Sequence, residues 1–93
     1  MFERTIALVG IENFNKIKSK TVLIVGLGGV GGYAAESLVR SGIENLILID
    51  HDTIDTTNLN RQIISTSNNI GNDKVSEFKK RILDINPNCK VIT

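Results

Sequence analysis

The chain has 93 residues, 41% of them apolar and 23% charged, with a formal net charge of +1. That is room for one domain with the composition of a soluble globular protein, and the charge excludes a strong field for nucleic acid or an anionic membrane. No apolar run reaches the roughly 20 residues of a bilayer span, the N-terminus lacks a basic-then-apolar secretory layout, and the single cysteine, Cys89, excludes an internal disulfide or a zinc site on paired cysteines and fits a reducing cytosol.

In chain order, Phe2 to Lys18 carries apolar residues at Ile6, Leu8, Val9, Ile11, Phe14 and Ile17, and reads as one or two short helices broken near Gly10. Thr21 to Val25 is a continuous apolar run ended by glycine, as expected of a strand buried on both faces of a parallel sheet. After the glycines at 26, 28, 29, 31 and 32, Tyr33 to Arg40 reads as a helix with Ala34, Ala35, Leu38 and Val39 toward the sheet. Gly42 stands where a left-handed helix end is expected. Leu46 to Ile49 is a second strand, ending in Asp50-His51-Asp52. Residues 52–72 are polar and loop-like. From Asn72 or Asp73, Val75, Phe78, Ile82 and Ile85 recur at helical spacing until Asn86-Pro87, and Lys90 to Thr93 starts a third strand. The expected fold is α/β: the N-terminal β-α-β-α-β half of a Rossmann-like doubly wound parallel sheet, preceded by short helices. Residues 1–20 form the helical segment and residues 21–93 the nucleotide-binding half-domain.

The glycine run has a physical job in a strand-to-helix turn. Gly26 allows the tight exit from the strand, Gly28 and Gly29 let backbone approach a phosphate, and Gly31 lets the helix pack close to the strand. The free N–H groups at the helix start then face the anion. Asp50, at the tip of the next strand, is placed to accept hydrogen bonds from ribose hydroxyls. Asp52, two residues on, points the same way if the segment is extended, or else caps a turn with Thr53. In an extended segment His51 points the opposite way, and no role is assigned to it. These features fit a nicotinamide- or flavin-dependent oxidoreductase half-domain as well as any other nucleotide-binding protein. A non-catalytic interaction module that keeps the fold is the third reading.

The next residues separate these readings. Asp50 to Asp55, then Thr57-Asn58-Leu59-Asn60-Arg61-Gln62, then Ile70-Gly71-Asn72-Asp73-Lys74 follow the glycine loop in an order that resembles the adenylation domain of the ubiquitin-activating superfamily. That superfamily includes the adenylyltransferases of molybdopterin and thiamin biosynthesis. Phe2-Glu3-Arg4-Thr5 and Arg81-Ile82-Leu83-Asp84-Ile85-Asn86-Pro87 look like the tRNA threonylcarbamoyladenosine dehydratase branch, and the resemblance covers nearly the whole chain.

The resemblance implies ATP as the nucleotide and activation of a carboxylate as an acyl-adenylate. It implies that Gly26, Gly28, Gly29, Gly31 and Asp50 hold the nucleotide, with Asp52 beside them. It puts Asn58 and Arg61 near the phosphates and Lys74 near the α-phosphate. Arg4 matches an arginine that reaches into the partner's site in related homodimers. The substrate is then threonylcarbamoyladenosine in tRNA, or in the alternative a ubiquitin-like sulfur-carrier protein, and the setting cytoplasmic, with no membrane. Mg2+ is implied too, held by an aspartate on a later strand beyond Thr93. No metal ligand is assigned within the chain, which alone is expected to be inactive. Two residues have plainer readings: Arg61 as a surface partner of Asp55, and Lys74 as a first-turn helix residue, a poor place for a cation unless an anion is near. Cys89 is expected to be a half-buried thiol rather than a nucleophile.

Overall fold

The computed structural model describes residues 1–93. Two short helices, α1 (Glu3–Val9) and α2 (Ile11–Ser19), precede β1 (Thr21–Val25), α3 (Gly29–Arg40), β2 (Asn45–Ile49), a 3-10 turn (Thr56–Asn58), α4 (Lys74–Ile85) and β3 (Lys90–Ile92). The helical break falls at Gly10, whose φ is +86°. Phe14 is the one buried side chain of α2. Its ring packs on Phe2, with centroids 5.3 Å apart, and on Gly42, where a Cβ would stand 2.6 Å from a ring carbon. Gly42 also ends α3: its N–H donates to Val39 O, and the Ile43 N–H donates back to Leu38 O, the paired bonds of a Schellman motif.

The sheet is parallel with order β1-β2-β3, as a mononucleotide-binding half requires. In register, Val22, Leu46 and Val91 form one row and Ile24 and Leu48 another. This face meets Ala35 and Val39 of α3 and Phe78 and Ile82 of α4 in a single core, with Val75 and Ile85 packed at its margin. Each fully buried aliphatic or aromatic side chain there contributes about 1.5–3 kcal/mol.

Three expectations need correction. The first concerns β1, which within these 93 residues is covered on one face only: Leu23 is 56% and Val25 71% exposed, continuous with Ile49 and Ile92. A continuous apolar run does not reveal whether helices lie on both faces, and α3 and α4 share one. The second concerns α3, which starts at Gly29 rather than Tyr33. Glycine disfavours a helix by about 1 kcal/mol, but here packing prevails: a Cβ on Gly32 would stand 2.7 Å from the Phe78 ring. Last, Ala34 is exposed. The inward stripe is Gly32, Ala35, Glu36 and Val39, because Glu36 is drawn in by ion pairs from Arg40 and Arg81.

Candidate functional site

At the carboxyl end of the sheet β1 runs into the glycine loop and β2 into Asp50. Gly26 takes φ +87°, and its N–H donates to Ile49 O at 2.8 Å, so the turn begins while the ladder is intact. A Cβ on Gly31 would stand 1.9 Å from Gly26 O, so the fold itself demands glycine there. Gly28 and Gly29 differ. A Cβ on either would find its nearest neighbour at 3.9 or 4.0 Å, an ordinary contact. The chain's own packing does not require them to be glycine, whereas a ligand approaching the backbone would. The N–H groups of Gly28, Gly29, Val30 and Gly31 make no hydrogen bond within the chain, and no side chain caps α3. Free donors at a helix N-terminus favour an anion.

Asp50 closes the loop from the side. Its Oδ2 accepts the Leu27 N–H at 2.6 Å and its Oδ1 accepts the Asp52 N–H at 2.8 Å. Burial pushes the carboxyl up, but those two N–H groups, helped by the charge of Lys74, outweigh it and hold Asp50 below the usual carboxylate range. The bond to Asp52 closes an Asx turn. His51 does not stand apart from the two acids as expected: its Nε2 lies 3.6 Å from Asp52 Oδ1, and ligand atoms of Asp50, His51 and Asp52 fall within 4.8 Å of one another. The set does not fit magnesium. Asp50 already accepts a backbone N–H on each oxygen, imidazole is a poor ligand for a hard cation, and Asp52 alone offers a carboxylate that accepts no N–H.

The polar segment after Asp52 folds back toward this end. The Ile54 N–H donates to Asn72 O and the Lys74 N–H to Asp52 O, with Ile54 itself 1% exposed. Asp55 and Asn58 form a capping box around the 3-10 turn, so the buried Asn58 uses Oδ1 on the Asp55 N–H at 2.9 Å. Arg61 is exposed and does not pair with Asp55. Its guanidinium donates to Thr57 O at 2.8 Å and Asn60 Oδ1 at 3.1 Å, while its backbone carbonyl is the nearest neighbour of Gly29. Lys74 is 5% exposed, yet no carboxylate or other acceptor meets its ammonium. Arg4 is exposed and unpaired on α1. Cys89 is fully buried rather than half-buried; burial pushes its thiol up, which suits packing and not nucleophilic attack.

In the sequence Gln62 stands only as the last residue of a motif, but its surroundings set it apart. It is 8% exposed, its Oε1 is buried without a donor, and its Nε2 is the nearest atom to a Cβ on Gly28. Ser65 Oγ, on the next turn, is likewise buried and unpaired. No sequence signal marks either position, because burial without a partner depends on what packs against it.

A model of the ThiF family matches residues 2–93. The chain is 45% identical over 91 residues to the tRNA threonylcarbamoyladenosine dehydratase of Bacillus subtilis (strain 168), covering 98% of this chain and 36% of that protein. It is 43% identical over 83 residues to the probable molybdopterin-synthase adenylyltransferase of Porphyra purpurea, covering 89% of this chain and 22% of that protein. A solved structure of the Escherichia coli tRNA N6-threonylcarbamoyladenosine dehydratase in complex with ATP superposes with a TM-score of 0.95 at 41% identity, over 98% of this chain and 37% of that one. The chain thus spans about a third of the length of the dehydratases it matches. These matches decide against the oxidoreductase alternative.

Proposed function

For a chain that belongs to the ThiF family, we propose that it is the ATP-binding front part of an enzyme that activates a carboxylate as an acyl-adenylate. The substrate in this reading is threonylcarbamoyladenosine in tRNA, which loses water and cyclises, and the work is done in the cytoplasm by a homodimer.

The observation that carries the reading is Lys74. A lysine 5% exposed, with no hydrogen bond or close ion pair at its ammonium, stands in the first turn of α4, near enough to Asp50 for their charges to interact. The first turn of a helix is a poor place for a cation, because the dipole opposes it there. A bound phosphate removes that penalty. The free N–H groups of the glycine loop support the same ligand, and each Asp50 oxygen keeps a further lone pair for a ribose hydroxyl. The substrate carboxylate then attacks the α-phosphorus, a new O–P bond forms, and pyrophosphate leaves. Lys74 neutralises charge at the α-phosphate. Arg61, held only by a carbonyl and an amide oxygen, swings to the departing phosphates, with Asn58 beside it. Arg4 serves the partner subunit's site. Mg2+ accompanies the nucleotide phosphates, and its protein ligand is expected outside these residues.

A second reading, an adenylyltransferase for a ubiquitin-like sulfur-carrier protein, is favoured by the 43% identity to the Porphyra protein. ATP–pyrophosphate exchange in the complete protein carrying these residues separates the two. Exchange is expected with tRNA bearing threonylcarbamoyladenosine and not with a carrier protein. Exchange driven by neither sinks both readings.

A further inference from the structure

The Gln62 carboxamide, beside the glycine loop, belongs to a side chain that is nine-tenths buried and has a buried atom without a partner. Its backbone is fixed, because the Gln62 N–H donates to Asn58 O at 2.9 Å and Gln62 O accepts the Ser65 N–H at 3.0 Å. Its Nε2 lies 3.9 Å from where a Cβ on Gly28 would be, alongside a loop with four free N–H donors. Its Oε1 faces the interior and meets no donor. A half-turn about χ3 exchanges these two atoms, so the geometry sets one polar end of the carboxamide beside the loop and buries the other without a partner.

We propose that Gln62 is a nucleotide-positioning residue whose Nε2 joins the glycine-loop N–H groups as the side-chain donor of a polyphosphate cradle. This rests on the nucleotide reading above and adds a residue to it. An orphaned acceptor in the interior is unfavourable, and it persists where holding the opposite end of the amide toward an anion compensates once the anion is bound. Beside four free N–H donors, an anion selects the donor end of the amide.

Gln62→Glu and Gln62→Met separate these accounts. The carboxylate of Gln62→Glu offers the loop N–H groups an acceptor of its own and repels phosphate. Its expected signature has opposite signs: ligand-free melting unchanged or raised, and affinity for ATP lowered by tenfold or more. Gln62→Met removes both the donor and the orphan, so stability is expected to hold while affinity falls by about tenfold. Calorimetric titration of the complete protein with ATP, and in parallel with inorganic tripolyphosphate, reads the affinities; scanning calorimetry reads the melting. Wild-type affinities in both variants, or losses that track melting in both, overturn the role of Gln62. If the wild type binds tripolyphosphate but not ATP, the nucleotide reading fails while the test of Gln62 proceeds on tripolyphosphate.

Discussion

The middle of α3 and its N-terminus treat polar groups in opposite ways. In the middle, Glu36 is 8% exposed and fully compensated: its oxygens accept two bonds from Arg40 and three from Arg81, tying α3 to α4. At the N-terminus, four backbone N–H groups, the Lys74 ammonium and the Gln62 carbonyl have no partner in the chain. A fold that satisfies a buried carboxylate so completely in one place is not short of means to do so elsewhere. In the proposed reading a nucleotide answers the loop N–H groups and the ammonium, while at Glu36 only helix packing is at stake.

The contrast breaks most directly at Lys74. Lys74→Met is expected to lower pyrophosphate exchange by about 10²–10³-fold, the range for loss of one charge-stabilising group, while thermal stability holds or rises. An active variant, or an inactive one that is also unfolded, would put Lys74 among the structural residues.

Glycine substitutions divide the loop the same way. Gly31→Ala forces a Cβ against Gly26 O and is expected to cost about 1–3 kcal/mol or more in denaturant unfolding. Gly28→Ala has room and is expected to stay within about 0.5 kcal/mol of wild type, yet to weaken ATP binding. Equal destabilisation by the two would erase the distinction between a glycine the fold needs and one the ligand needs.

Glu36→Gln tests the compensated side. Arg40 is 59% and Arg81 37% exposed, so solvent screening reduces the loss to about 1–2 kcal/mol. The pH dependence carries its own sign. Burial pushes Glu36 up, but the hydrogen bonds and charges of Arg81 and Arg40 outweigh it and hold the carboxyl low. A depressed carboxyl stabilises the fold above its unfolded pKa, about 4.3, and that contribution is lost as pH falls through the folded value. Acid titration of unfolding should therefore show a shallower decline below about pH 5 in Glu36→Gln than in wild type; parallel curves would contradict the assignment.

The smallest effect is expected at Ser65. Its buried hydroxyl has no partner, so Ser65→Ala should be neutral or stabilising by up to about 1 kcal/mol. A clear loss of stability would mean that the hydroxyl is satisfied in solution and does not belong with the open groups of the loop.

What the sequence determined by itself was local. The break at Gly10, the stop at Asn86-Pro87, the strand–helix alternation and the acid at the end of β2 all follow from backbone preferences and periodicities within a few neighbouring residues. Gly26 and Gly31 were legible for the same reason, since a strand-to-helix turn imposes its demands on adjacent positions. The tertiary structure alone decided which charges are answered. Glu36 meets Arg81 across 45 positions, and Asp50 meets the Leu27 N–H across 23. Lys74 meets no carboxylate at all, and Gln62 comes to rest against Gly28. The open sheet face and the inward turn of Glu36 belong to the same class. Burial and pairing are properties of surfaces brought together by packing, and residues far apart in sequence carry no local sign of whether a partner, or none, will face them.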